Sequence, residues 1–471
     1  MVTQLSRETQ VPRQTLYAWR DQARQALQAA FDPPAPSVAS TTTTERQILT
    51  LWIQHASARG IQAATRELLQ QGLSLATITA VLHAAGDRAI TWMRTHVPPD
   101  MRALALDEID ANNRCGAYLN VVDVQSGAIW ASEGPLPVDT ESWVLVLWEL
   151  EARGLRWDRV VMDGGAALQA ACQDVTPTVP MQGDTWHELH GCAQVQQRLE
   201  RVVQHLEART PAVARQAARI SAGQSPRGRN PKTDVDAHAQ EVALARQTAA
   251  NTAYLTGELR RLLAPVVEGR DGLLTAAQRQ EDLATVLCLL DEVGQAAPAA
   301  QQPHLQRLHN HLTARLPALL TFVPHLDQVQ HDLQALLTPS QQALVGWAWL
   351  RRHTLGWQRR DILAAIPEGW RAAARILLAA WDDAVWVSSA VERWHSIMRP
   401  HLAVRRTLNS RMVALLAVWH NHRVFTRGIH KGLSPLHLSG MTDAPTDWLV
   451  ALGYLPDVAV TPHAAPLAQA A

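Results

Sequence analysis

Residues 104–110, LALDEID, place a carboxylate, Asp107, inside a short apolar segment that lacks helical period and reads as a buried strand. An isolated charge there is costly unless a hydrogen-bonding partner or a metal ion compensates it. A second apolar run, WDRVVMDGG at 157–165, ends in Asp163, and Gly164 and Gly165 after it let backbone or ligand approach closely. Two carboxylates brought side by side repel, and without a cation one of them holds a proton. A divalent ion removes that penalty. Magnesium takes one or two carboxylates and keeps positions for water and phosphate oxygens. Two such ions, about 3.5–4 Å apart, activate an attacking oxygen and stabilise a leaving one.

A third carboxylate is needed, and Glu392 is the best placed, on a helix beside a cluster of arginines. Ser389 and Glu392 also have capping-box spacing, so the glutamate could instead close a helix N-terminus; the two roles are compatible. DTWH brings Asp184 and His187 to the end of a strand, where they are read as residues that orient substrate or carboxylates. Asp110, Asp123 and Asp174 fall at strand ends or turns and are expected to be solvated. Glu108 is expected to face away from Asp107 by strand alternation.

The elements that must position these groups follow in order. Residues 101–193 read as strands 104–110, 117–124 and 128–136, a helix at 140–154, a strand ending at Asp163, a helix at 166–173, a strand at 179–184 and a long helix after His187. This βββαβαβα order is that of a ribonuclease H fold, a mixed α/β sheet in which the first and fourth strands are neighbours, so Asp107 and Asp163 would be adjacent. Residues 194–385 carry Ala, Gln and Leu at helical spacing and form an all-helical insertion, broken at 221–234 and 294–303. Its tryptophans, Trp347 to Trp386, read mainly as bundle core. Residues 386–440 return to the catalytic core as two helices around a basic bend, and 441–471 read as a tail.

Before the strands lie residues 1–31, with a turn near Val11 and Pro12 and with Arg13, Gln14, Thr15 and Arg20 facing outward from a second helix. That is helix-turn-helix geometry, suited to the major groove, or else an αα-hairpin without a ligand. Residues 32–44 form a Pro-rich and polar linker. Residues 45–98 read as a second helical DNA-binding unit, or else a purely structural one, three helices with turns at Gly60 and Gly72 and Ser74 as a cap.

Of the 471 residues, 47% are hydrophobic and 18% charged, ordinary values for a globular protein of several domains. No apolar run reaches membrane-span length and no signal peptide is read, so the cytoplasm is the expected compartment. Cys115, Cys172, Cys192 and Cys288 form no CxxC pair, which argues against a disulfide frame or structural zinc. The formal net charge is +0, yet no acid lies between Arg393 and Met441, where Arg399, Arg405, Arg406 and Arg411 also fall. Lys232 and Lys431 are the only lysines. Nearly all positive charge is therefore guanidinium, the group that grips phosphate in a bidentate way.

Taken in order, these motifs resemble a DDE transposase of a bacterial insertion sequence. DTWH is similar to the (C/D)xxH signature of hAT and Mutator-like enzymes, SSAVERWHSIMRPHL carries the glutamate, and Asn421 sits in the closing basic helices. The resemblance implies two Mg2+ or Mn2+ ions held by Asp107, Asp163 and Glu392. It also implies double-stranded DNA as partner, both terminal inverted repeats and target, and a homo-oligomer that pairs two ends. Arg393, Arg399, Arg405, Arg406 and Arg411 would neutralise phosphates, making binding salt-dependent. The competing expectations are a transposase-derived DNA-binding regulator with a dead site, a ribonuclease H-like nuclease that cuts without joining, and a structural protein built on the helical segment.

Overall fold

The structure, a computed structural model, describes residues 14, 18, 21 and 43–454, apart from 71, 100, 112–115, 225–233, 385–388, 406 and 428–429. Arg13, Thr15, Arg20 and Arg406, with most of 1–31, therefore lie outside the described residues; Gln14 is helical and exposed. From Thr43 on, the described residues begin with the helices α1 (Thr43–Ile53), α2 (Ala58–Leu69) and α3 (Leu75–Thr95). Then follow β1 (Ala103–Asp110), β2 (Ala117–Asp123), β3 (Ile129–Leu136), α4 (Thr140–Ala152), β4 (Arg159–Met162), α5 (Ala166–Val175) and β5 (Met181–Gly183). The insertion is α6 (Thr185–Ser221), α7 (Val235–Leu262), α8 (Ala276–Ala296), α9 (Gln302–Leu319), α10 (Val323–Asp332), α11 (Pro339–Leu355), α12 (Arg359–Ala365) and α13 (Arg371–Asp382). The chain closes with α14 (Ser389–Val404), α15 (Ser410–His422), α16 (Pro435–Leu438) and α17 (Trp448–Ala451).

The five strands make one mixed sheet in the order β3-β2-β1-β4-β5. The first three form an antiparallel meander, and β4 and β5 run parallel to β1 through the crossovers α4 and α5. Strands β1 and β2 are buried almost throughout, which accounts for the apolar first half of β1 and the mostly apolar β2. Register sets Asp107 opposite Asn120 on β2 and Leu106 opposite Met162 on β4. Asp163, the next residue after Met162, is thus the neighbour of Asp107 just beyond the end of the β1–β4 pairing.

Helix α14 packs across β1 and β2, while α15 runs along α3 and β3. A Cβ on Gly86 of α3 would stand 2.5 Å from Cβ of Arg411, so the glycine is what lets α3 and α15 approach so closely. The sheet, α1 to α3 and α14 to α17 share a single apolar core that includes Trp52, Trp92, Trp130, Trp143 and Trp394. Burying each indole stabilises the fold by roughly 2–3 kcal/mol. The insertion has cores of its own, one around Leu199, Leu259, Leu283 and Leu308 and another around Phe322, Trp349 and Trp381.

Several local features differ from expectation. Residues 45–98 do not stand apart as a unit, because Trp52, Ile78 and Trp92 belong to the core of the sheet. Gly60 lies inside α2; the turn falls at 54–57 because Ser57 caps α2, its Oγ accepting from the Gly60 N–H at 3.1 Å. Ser74 does cap α3, accepting from the Thr77 N–H at 3.0 Å. The long helix after β5 begins at Thr185, ahead of His187. The first part of the tail is packed: Leu449, Leu452 and Tyr454 enter the main core, and Asp447 pairs with Arg46 at 2.5 Å. No helix among the described residues is long and apolar enough to cross a membrane.

Candidate metal centre

Asp107 lies within β1, paired with Asn120 of β2 and one residue past the last pair with β4, and is 7% exposed. Its Oδ1 accepts from the N–H of Glu108 at 2.8 Å, which leaves Oδ2 turned toward α14. Helix α14 supplies the other groups. Glu392 and His395 are one turn apart on the face that meets the sheet, with His395 Nδ1 3.8 Å from Asp107 Oδ2 and 4.0 Å from Glu392 Oε1. One donor atom from each of Asp107, Glu392 and His395 falls within 4.8 Å of the others, the one such grouping of metal-type ligands among the described residues. Ser389 is already helical, and Glu392 turns its side chain to His395 and to Arg399, whose Nη2 is 3.4 Å from Glu392 Oε2.

Asp163 is beside this trio and is not a member of it. Its carboxylate is turned by the N–H of Gly165, which donates to Oδ1 at 2.9 Å. Gly164 has a φ of +85°, and a Cβ there would overlap the guanidinium of Arg315 from α9. Arg315 donates from Nη2 to the carbonyl oxygen of Asp163 at 2.7 Å and from Nε to Glu188 Oε1 at 3.0 Å. Glu188 is buried at the start of α6, and His311 Nε2 lies 2.6 Å from its other oxygen. On β5, Gln182 donates to the carbonyl of Leu319 at 2.9 Å and accepts from the N–H of Phe322 at 3.1 Å. The insertion is thereby fastened to the ends of both parallel strands.

Asp184 caps α6, accepting from the N–H of Trp186 at 2.9 Å, and its second oxygen lies 3.3 Å from Nδ1 of His187. That contact, with the nearby charges of Asp107 and Asp163, pushes the His187 imidazole up to about 9, so it is cationic at neutral pH. Burial pushes the Asp107 carboxyl up to about 7; the charge of Asp163 adds to the rise, while His187 and the Glu108 N–H oppose it. Glu108 is raised as well, by burial and then by Asp163. His395 moves the other way, down to about 4, because burial and then the charges of Arg399 and His187 disfavour its cation. Burial, more than mutual repulsion, is therefore what disfavours the ionised carboxylates beside the cleft.

A cleft of about 500 Å³ opens over Asp107, His187, Glu392, His395 and Arg399. Asp107 and Glu392 offer carboxylate oxygens close enough to share a hard divalent cation, with a His395 nitrogen beside them, and an ion there would favour the ionised form of the buried Asp107. Of the other acids, Asp110 and Asp174 are exposed as expected, but Asp123 is buried. It closes its own turn by accepting from the N–H groups of Gln125 and Ser126 and from the Ser126 hydroxyl.

The arginines separate into different settings. Arg399 is exposed on the rim of the cleft, and Arg393 lies 5.7 Å over the ring of Phe425. Arg405 turns inward, 4.9 Å over Trp52 and donating to the carbonyl of Ala56 at 2.6 Å. Arg411 is paired with Asp87 at 2.6 Å. His395, Asn120, Glu188 and Arg315 were not singled out from the sequence; only the E-x-x-H spacing of Glu392 and His395 offered a signal. Compared with known proteins, the chain matches no family model and no curated protein.

Proposed function

We propose that this chain is a metal-dependent DNA strand-transferase of the DDE transposase type, built on a ribonuclease H-like sheet. It cleaves a phosphodiester at the ends of an insertion sequence and joins the freed 3′-hydroxyl to target DNA. The observation that carries this proposal is that Asp107 and Asp163 each follow the last paired residues of the adjacent parallel strands β1 and β4, with Glu392 of α14 brought close to Asp107. The strand order, the crossovers and a helical segment between Asp163 and Glu392 support the ribonuclease H-like assignment.

In this role Asp107, Asp163 and Glu392 hold two Mg2+ or Mn2+ ions. When bound, the ions would neutralise the phosphate and lower the pKa of the attacking hydroxyl. Asp184 fixes the orientation of His187, whose positive charge faces the two aspartates and draws the phosphate into the cleft. Arg399, exposed beside Glu392, grips the DNA backbone at the rim. The partners are terminal repeats and target duplex, held by a homo-oligomer.

The test uses the full chain with Mg2+ or Mn2+ and duplexes of the DNA that flanks its gene, searched for inverted repeats. Wild type should expose a 3′-hydroxyl and form joined product. Asp107→Asn, Asp163→Asn and Glu392→Gln should each abolish both steps and leave binding largely intact. Cleavage without joining would indicate a nuclease, binding without cleavage a regulator, and full activity in any one variant would remove that residue from the site.

A further inference from the structure

His395 has the position of a metal ligand but not the hydrogen bonding of one. Its Nε2 lies 3.1 Å from Nδ2 of Asn120, the residue paired with Asp107 across β1 and β2. Which end of the Asn120 amide faces the imidazole follows from its other partners. Trp394 Nε1, a group that can only donate, is 2.9 Å from the far atom of the amide, and the Ser132 hydroxyl donates to that same atom at 2.6 Å. That atom must be the oxygen. The near atom also meets the carbonyl of Tyr118 at 2.9 Å, a group that can only accept, so it must be the NH2. A flipped amide would set donor against donor at Trp394 and acceptor against acceptor at Tyr118.

Asn120, Trp394 and His395 are all buried, so water cannot rescue a mismatched pair. With one amide N–H on Tyr118 and the other on the imidazole, His395 Nε2 has to accept. The proton of the neutral ring then resides on Nδ1, the nitrogen facing Asp107 and Glu392. An imidazolium is excluded as well, because it would press N–H against N–H at Asn120.

We propose that His395 is a fixed hydrogen-bond donor to an oxygen seated between Asp107 and Glu392, and not a metal ligand. Its Nδ1 lone pair is occupied by a proton, so cations are held by the carboxylates alone. At 3.8 and 4.0 Å the Nδ1–H is too far from either carboxylate for a direct bond and is free to meet a phosphate or water oxygen placed between them. This role rests on the phosphodiester chemistry proposed above, whereas the tautomer does not.

Long-range 1H–15N correlation of the full chain labelled at histidine, with His395→Asn to assign the signal, reads the tautomer directly. The Nδ1–H form is expected, unchanged when Mn2+ is replaced by diamagnetic Mg2+ or Zn2+ additions; an Nε2–H form, or a coordination shift at Nδ1, overturns the proposal. Mn2+ affinity, followed by electron paramagnetic resonance, should stay within about twofold in His395→Ala, and a tenfold or greater loss also overturns it. Cleavage of the repeat duplex should fall about a hundredfold in His395→Ala, the usual cost of a lost oxyanion donor. It should recover partly in His395→Asn, which restores an N–H near the same point; equal loss in both variants counts against a donor role. If wild type cleaves no DNA, the proposed function fails while the tautomer and Mn2+ measurements still decide the state of His395.

Discussion

Arg315 of the insertion donates to the main-chain carbonyl of Asp163 across 2.7 Å, so a helix far along the chain helps set the backbone from which the Asp163 carboxylate projects. The same guanidinium neutralises buried Glu188 at the root of α6, and Gly164 supplies the space for it. Insertion and sheet are thus joined by one polar cluster rather than by apolar contact alone.

Arg315→Met should leave the Glu188 carboxylate buried with only His311 opposite it, at a cost of about 3 kcal/mol in chemical denaturation. Adding Glu188→Gln should restore much of that stability. It should not restore cleavage, because the Asp163 carbonyl still lacks its donor. Gly164→Ala should be as damaging as Arg315→Met, and Gly165→Ala much milder, since a Cβ there meets only Asp163 Oδ1 at 3.4 Å. Equal damage at both glycines would contradict this account.

Asp107 gives a pH signature. Its carboxyl titrates near 7 in the fold and near 3.8 when unfolded. Between those values the unfolded chain binds fewer protons than the folded one, so stability falls as pH rises through that window and levels off above it. Asp107→Asn removes the effect. Without divalent cations the variant should be more stable than wild type at pH 8, by on the order of a few kcal/mol, and the two should converge near pH 4. Saturating Mg2+ should raise the melting temperature of wild type at pH 8 and leave Asp107→Asn nearly unmoved. Thermal melts across pH in EDTA and in Mg2+ check both statements.

The arginines of the basic stretch should separate by their present partners. Arg399→Ala should weaken DNA binding and reduce the slope of log affinity against log salt by about one. Arg405→Ala, which removes the stack on Trp52 and the bond to Ala56, should lower the melting temperature and leave that slope unchanged. Fluorescence anisotropy over a salt series separates the two.

The parts of the site that could be read from sequence are those with a local signature. Asp107 and Asp163 each interrupt or end an apolar run, and the order of elements was enough to expect β1 beside β4, which the register bears out. Ser74 announced its helix by type and position alone. Asn120 could not be seen in this way: an asparagine in a strand has no periodicity, and its meaning comes from Trp394 and His395, far away in the chain. Arg315 and Glu188 are likewise ordinary helical residues until α9 meets α6. Asp123 was misjudged because a turn aspartate can satisfy itself on its own backbone and then be buried at little cost. For residues 45–98 the apolar faces were legible but not what they would pack against.

Helix α6 has a mechanical consequence. It starts at Thr185, directly after the capping Asp184, and continues for 37 residues into the insertion, about 55 Å of rod. Force applied to the far end has two outlets. The rod can bend at Pro211, where a ladder hydrogen bond is missing, or it can turn as a lever about its capped end. One degree of rotation at Thr185 displaces the tip by about 1 Å. The ratio also runs in reverse: an ångström-scale shift at the tip reaches His187, inside the first turn, as a tilt of about one degree.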